Sequence, residues 1–365
     1  MSPRTRSRGL LRPKGNWGRF GQVFGGFDVV NAAESCSDQT GFGDCDPLSI
    51  EKVSVEGGLI NRGVVGDYWN AWFTDYAADV FDNFDNFPHH TSLPGNLTNE
   101  AAATAGAARS NPSRPYVDLP VALFELRELP DLIKSAGSGI LRRWGSDNLK
   151  LQFGINPLIG DLVKLAQFED AMDRRVKQLE AFRVLRSYRK TMTVGTFSDS
   201  GVYGKALQSQ GWFAWGDFHA NTKQEVRVHC RWSPTMDLSW LAQPTAMREL
   251  ARRAVLGLTV DSLTAWNALP WSWLTDWASN AQEFFTATRN LVPAALTGVH
   301  VMRHTKTVYE YGGYASSDGW EKIQPAKITR ESKTRTPSFV APVAHFPFLD
   351  GRQVGILGSL AVTRL

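Results

Sequence analysis

The sequence predicts an α+β fold, with strands gathered into a β-sheet region and helices into a bundle of about four long members. Three observations predict it. Apolar residues recur by threes and fours over residues 158–182, the period of a helix with one buried stripe. The period changes to two at Val226, Val228, Cys230 and Trp232, as in a strand with one wet face. Blocks of the two kinds follow one another in the order β, α-α, β, α-α, β, which segregates helices from strands.

Residues 1–116 form an N-terminal β-rich segment. Runs such as Lys52, Val53, Ser54 and Val55, or Tyr68, Trp69, Asn70, Ala71, Trp72 and Phe73, read as strands between turns rich in Gly, Asn and Asp. Residues 93–115 carry Pro, Gly, Asn, Ser and Ala without periodicity, so a loop or linker is expected there. Residues 117–183 hold helices 1 and 2 of the bundle. Asp118 caps the first, Pro120 sits in its first turn and Pro130 kinks it, while Val121, Phe124, Leu129, Leu132, Ile133, Ala136 and Ile140 trace its apolar side. The second presents Leu158, Leu162, Leu165, Phe168, Met172, Val176, Leu179 and Phe182 on one side and Lys164, Arg174, Arg175 and Lys177 on the other. Strands of the β region return at 184–242. Residues 243–292 supply helices 3 and 4: Pro244 and Thr245 start helix 3, Leu250, Ala254 and Val255 face inward, and Arg248, Arg252 and Arg253 lie together outside. Trp266, Leu269, Trp273, Leu274, Trp277 and Phe284 pack helix 4. Residues 293–365 complete the β region and end in a C-terminal tail.

A chain of 365 residues with 42% hydrophobic content is long enough to bury a substantial core. The longest apolar run, residues 291–302, falls short of the roughly 18–20 residues a membrane span needs and is interrupted by Pro293; no span is expected. The basic N-terminus lacks the apolar run of a signal peptide, so synthesis and first use in the cytosol are expected. Cys36, Cys45 and Cys230 cannot all pair, and free thiols are expected. Net charge is only +4, yet residues 1–27 hold six basic residues and no acidic one, residues 28–100 hold thirteen acidic residues against Lys52 and Arg62, and the remainder holds 32 basic against 23 acidic. An acidic segment of that size repels phosphate, so one face is expected to meet nucleic acid and another to be turned away.

No H-E-x-x-H, G-x-S-x-G, P-loop or dinucleotide fingerprint occurs, so neither catalysis nor a metal or cofactor is expected. His89 and His90, adjacent in a loop, read as surface residues. Asp276, set among Trp273, Leu274 and Trp277, is costly to bury unpaired. A structural ion pair or backbone hydrogen bond is its expected role; a hydrolase using Asp276 in an aromatic cleft is the competing reading. Basic residues recur beside aromatic ones: Arg227, His229 and Arg231 with Trp232, Arg186, Arg189 and Lys190 with Tyr188, Arg142 and Arg143 with Trp144. Guanidinium forks take phosphates and unpaired bases stack on rings, a mixture suited to folded RNA. With Lys164, Arg174, Arg175, Lys177, Arg248, Arg252 and Arg253, these basic residues are the candidate RNA contacts.

Two elements resemble a known family. Phe153, Gly154, Pro157, Leu158, Asp161 and Leu162 match an F-G-x-x-P-L-x-x-D-L element, and Pro270, Ser272, Trp273, Leu274, Asp276 and Trp277 match a P-x-S-W-L-x-D-W element, of the maturation proteins of single-stranded RNA bacteriophages, the levivirus family. Residues 111–120, with Glu125, Leu126, Arg127, Glu128, Leu129 and Pro130, are similar to the family's entry into its first helix. The matches keep family order over 111–277. Gly154 and Pro157 break the preceding structure, Asp161 favours the positive end of a helix, and Trp273, Asp276 and Trp277 lock the last helix, so these elements mark scaffold. The resemblance implies an elongated protein, one copy per virion, built into the shell beside coat-protein dimers. It would hold viral genomic RNA, attach to a host pilus through pilin and enter with the RNA; some relatives also lyse the host. It further implies a virion protein assembled in the host cytoplasm. On that basis the receptor contacts are sought in the acidic, aromatic segment, at Tyr68, Trp69, Trp72, Asp75, Asp82 and Asp85.

Overall fold

The computed structural model describes residues 3–19, 22–39, 46–57, 59–64, 71–76, 89, 93–116, 167–209, 212–258, 261–268, 276, 279–315, 317, 321–344, 356 and 359. Eleven strands are found among them: β1 (Pro3–Arg19), β2 (Gln22–Gln39), β3 (Leu48–Gly57), β4 (Leu59–Val64), β5 (Ala71–Tyr76), β6 (Tyr188–Ser209), β7 (Trp212–Pro234), β8 (Ala294–Tyr311), β9 (Tyr314–Ala315), β10 (Glu321–Ile323) and β11 (Ala326–Pro337). They form one sheet in the order β6-β7-β8-β11-β3-β2-β1-β5-β4-β10-β9. The helices are α1 (Asn99–Ser110), α2 (Phe168–Leu185), α3 (Pro244–Leu256), α4 (Ser262–Ala268) and α5 (Ala281–Thr288).

The expected α+β plan with a bundle of about four long helices is not what forms. The sheet dominates, with strands of 17, 18, 22 and 23 residues, and the helices run from 7 to 18 residues. Among the described helices only α2 is long, about 27 Å at 1.5 Å per residue. The block read as helices 3 and 4 is broken: Gly257 ends α3 with φ 60°, a left-handed cap that glycine adopts without steric cost. The helix expected after Asp118, and the start of the second with Leu158, Leu162, Leu165 and Lys164, lie outside the described residues. The helices pack in pairs, α1 on α5, α2 on α3, and α4 on α5.

Helix α1 occupies the stretch read as a linker. Thr98 caps it, its hydroxyl accepting from the Ala101 amide at 3.2 Å, and alanine supplies the propensity. Ala102, Ala103, Thr104, Ala105, Gly106, Ala107, Ala108 and Ser110 are all buried and only Arg109 is exposed, so no continuous wet face forms and no amphipathic period arises. Close approach explains the small residues: a Cβ at Gly106 would stand 2.5 Å from Val228 Cγ1. The opposite case is α3, where Met247, Leu250, Ala251, Ala254 and Val255 are buried and Arg248, Arg252 and Arg253 are exposed, as the periodicity indicated.

The chain divides into two units. Unit 1 comprises residues 1–96, 193–227 and 300–337; unit 2 comprises 97–192, 228–299 and 338–365. In unit 1, β7 alternates strictly: Phe218, Ala220, Thr222 and Gln224 are buried while Asp217, His219, Asn221 and Lys223 are exposed. The buried polar pair is satisfied by β8, since the Thr222 hydroxyl meets the Thr307 hydroxyl at 2.8 Å and Gln224 donates to the Thr305 hydroxyl at 2.8 Å. Val53, Val55, Tyr309 and Ile328 complete this face. The basic N-terminus does not stand apart from the acidic segment. Antiparallel pairing of β1 with β2 sets Arg4 opposite Asp38 and Arg8 opposite Glu34, and Arg4 holds the Asp38 carboxylate through Nε at 3.0 Å and Nη2 at 2.5 Å.

His89, expected at the surface, is largely buried: Nδ1 lies 2.8 Å from the Thr307 hydroxyl and Nε2 lies 3.9 Å from Glu51. Burial, then the charge of Arg330, lowers its pKa against the pull of Glu51. A histidine neutral in the fold but protonated in the unfolded chain contributes stability that is present above the unfolded value near 6.5. That stability is lost as pH falls from there through the depressed value. The urea midpoint of unit 1 is therefore expected to fall between pH 7 and 5, and His89→Gln to remove that share of the slope; an unchanged slope in the variant would refute the assignment. Cys36 and Cys230 are free thiols, and burial pushes the Cys230 thiol up to about 11. Among the described residues no group of His, Cys, Asp and Glu could hold a metal ion, and no helix is long and apolar enough to cross a membrane.

Candidate nucleic-acid interface

Unit 2 contains a cleft of about 690 Å³, floored by the end of α1 and the turn after it. Asn111 organises that turn. Its Nδ2 lies 2.9, 3.0 and 2.8 Å from the carbonyls of Thr286, Ala287 and Arg289, and its Oδ1 accepts the Ser113 amide at 2.7 Å. The carbonyls are those a helix C-terminus leaves unpaired, so one buried side chain ties α1 to the end of α5. Trp232 Nε1 donates to the Ser110 hydroxyl at 3.0 Å and fixes the same corner to β7.

Among the described residues, Arg109, Arg114, Arg175 and Lys190 line the cleft against a single carboxylate, Glu283. Arg175, from α2, points at the turn and donates to the carbonyl of Pro112 and, at 2.7 Å, to that of Arg114. Burial lowers its pKa to about 10, so it remains a cation at neutral pH; its role is to hold the turn. Burial, and then the charge of Arg109, lower the pKa of Arg114. Glu283 has its pKa raised by burial, against the charges of Arg109 and Arg114, and Arg109 Nη2 stands 4.0 Å from it. Among the described residues neither Arg114 nor Lys190 has a carboxylate within ion-pair distance. Tyr116 and Tyr188 add rings, the Tyr116 hydroxyl donating to Gln167 at 2.8 Å. Such a set of donors and rings can take phosphate oxygens and stack an unpaired base.

The structure brings together only part of the expected set. Arg175 and Lys190 line the cleft. Arg174 and Lys177 are exposed on α2, with Arg174 Nε donating to its own helix at the Asp170 carbonyl, 3.1 Å away. Arg186, left-handed at φ 48°, and Arg189 are exposed where α2 passes into β6. Arg231 is half-buried on β7, and Arg248, Arg252 and Arg253 form an exposed row on α3. Arg227 lies in unit 1, where Glu225 holds its guanidinium at 2.8 and 2.9 Å. Arg142, Arg143, Gly154, Pro157, Asp161, Trp273 and Trp277 lie outside the described residues, as do Tyr68, Trp69, Asp82 and Asp85. Trp72 and Asp75 fall in β5, opposite Gly63 and Ile60 of β4.

Asp276 does not line the cleft. Its Oδ1 accepts the Gln282 amide at 3.1 Å, in the first turn of α5, where a carboxylate also meets the positive end of the helix. Arg109, Arg114 and Tyr116 are cleft residues that sequence patterning missed, because the two arginines sit in the stretch that read as a linker and Tyr116 directly follows it. The only signal near them was the similarity over residues 111–120. No protein-family model matches the chain, and no curated protein matches it.

Proposed function

We propose that this protein is an RNA-binding virion component of the maturation-protein kind. It grips folded genomic RNA with unit 2, takes a place in the capsid beside coat-protein dimers, and attaches the particle to a host pilus before accompanying the RNA into the cell. The role is binding, not catalysis. The observation that carries it is the cleft of unit 2, where, among the described residues, Arg109, Arg114, Lys190 and two tyrosines face one carboxylate while Arg175 holds the turn, with Arg186 and Arg189 exposed nearby in sequence. The three sequence elements over 111–277 support the choice of family, and the exposed row on α3 supplies further cations for phosphate.

Expression in cells followed by crosslinking and sequencing of the bound RNA tests the proposal. Enrichment of hairpins from one viral genome is the expected result, and host RNA taken at random would overturn it. Charge reversal at Arg248, Arg252 and Arg253 is expected to weaken RNA retention, with the slope of log K against log salt flattened by about 1 for each phosphate no longer neutralised. Pilus attachment should persist in that variant. An unaltered salt series would remove α3 from the interface.

A further inference from the structure

Unit 1 carries a concentration of positive charge outside the cleft of unit 2 that the role proposed above uses. The register of β7 against β8 follows from three pairings: Thr222 with Thr307, Gln224 with Thr305, and the Phe218 ring stacked on Tyr311 at 5.1 Å. All three fit one antiparallel alignment, which sets Lys223 directly opposite Lys306 on the other, exposed face. Elsewhere along the same rows, directly opposed charges alternate in sign: Arg8 with Glu34, Glu34 with Lys52, Lys52 with Glu331, and Glu331 with Lys306. Lys327 likewise stands between Glu310 and Glu56. Like charges directly across a ladder destabilise a sheet, and the Lys223 and Lys306 pair breaks the alternation.

Among the described residues no ion pair neutralises it. Glu331, the carboxylate opposite Lys306, is taken by His304 at 2.6 Å and Lys333 at 2.9 Å. Neither Lys223 nor Lys306 has a carboxylate within ion-pair distance among the described residues. Both border a depression of about 560 Å³ that Lys327, His219 and Glu310 also line. We propose that Lys223 and Lys306, with Lys327 and His219, form an anion site for phosphate groups, supplied by a polynucleotide backbone. Lysine ammonium groups without arginine forks act as point charges on phosphate and read no sequence. Lysine is also depleted from the cores of protein–protein interfaces, which disfavours an acidic protein surface as the occupant.

The test uses the full chain and the variants Lys223→Gln, Lys306→Gln, the pair together, and Lys223→Arg as the charge-preserving control. Without added anion, Lys223→Gln is expected to raise Tm in low salt by about 1 to 2 °C, because repulsion is relieved. Inorganic phosphate, compared with chloride at equal ionic strength, should raise the Tm of the natural chain more than that of the double variant. For a single-stranded oligouridylate the double variant should flatten the salt slope by about 1.4, or 0.7 per lysine, and Lys223→Arg should retain it. A shift with inorganic phosphate and no change in oligouridylate slope would reassign the site to free phosphate and overturn the polynucleotide source. Polyglutamate bound as tightly as oligouridylate would point to an acidic protein instead. A lower Tm in Lys223→Gln, or phosphate and oligonucleotide responses unchanged by both substitutions, would sink the proposal outright. Substitutions in the cleft of unit 2 leave this comparison intact, so failure of the one reading is separable from failure of the other.

Discussion

Asn111→Leu is expected to destabilise unit 2 by about 3–5 kcal/mol. The side chain is 3% exposed and serves three carbonyls and one amide. Two hydrogens on Nδ2 cannot fully satisfy three acceptors, so one bond is shared. Leucine matches the branching, though with bulkier methyl groups, but returns four buried backbone groups to an unpaired state, each worth about 1–3 kcal/mol before relaxation. Partial relaxation and water entry bring the sum down to the range given. Asn111→Asp is the sharper control, because it keeps the acceptor for Ser113 and replaces the donor with a carboxylate facing carbonyl oxygens; it should be no better tolerated than leucine. Urea unfolding decides the matter, with a loss below about 1 kcal/mol for both variants contradicting the role assigned to Asn111. RNA affinity should fall with stability, since the same turn carries Arg114 into the cleft.

Replacing Arg109, Arg114 and Lys190 together by glutamine is expected to lower RNA affinity on the order of 10²-fold at 0.1 M salt. Each neutralised phosphate contributes a salt slope of about 0.7 to 0.9, which at that concentration is roughly five- to eight-fold per cation relative to 1 M. The three changes should flatten the slope by about 2 to 3 and have little effect near 1 M salt. Arg175 is left in place because it holds the carbonyls of Pro112 and Arg114, and its loss would confuse folding with binding. Glu283→Gln should act in the opposite direction, by removing a carboxylate that faces incoming phosphate. The wild-type protein should bind more tightly as pH falls through the raised Glu283 pKa, because protonation discharges that group. A triple variant with unchanged slope and affinity would move the RNA interface away from this cleft.

How much of this was legible in the sequence depends on whether an element has one wet face. Strand β7 has one, so Val226, Val228, Cys230 and Trp232 advertised both the element and its buried side. Helix α3 has one, and its arginines and leucines separated cleanly. Helix α1 exposes only Arg109, and twelve residues of alanine-rich helix read as a linker. Strands β1 and β2 run for 17 and 18 residues through glycines, serines and arginines that carry no sustained alternation, so only short strands were expected. With those long strands hidden, the helical periods weighed too heavily and the sequence read as a bundle where a sheet dominates.

By itself the sequence determined the local preferences: the periods of β7 and α3, the start of α3 at Pro244, the three elements over 111–277 and the basic bias of the later chain. Tertiary structure alone decided which charges meet. Along the chain, Arg4 and Asp38 belong to segments of opposite sign, yet antiparallel pairing makes them partners. Lys223 and Lys306 are far apart in sequence, yet the strand order brings them face to face. Arg109, Arg114, Arg175 and Lys190 converge because Asn111 and Arg175 stitch a turn to the helices beside it. Coulombic interaction depends on distance in space, and sequence separation does not report that distance until the chain has paired.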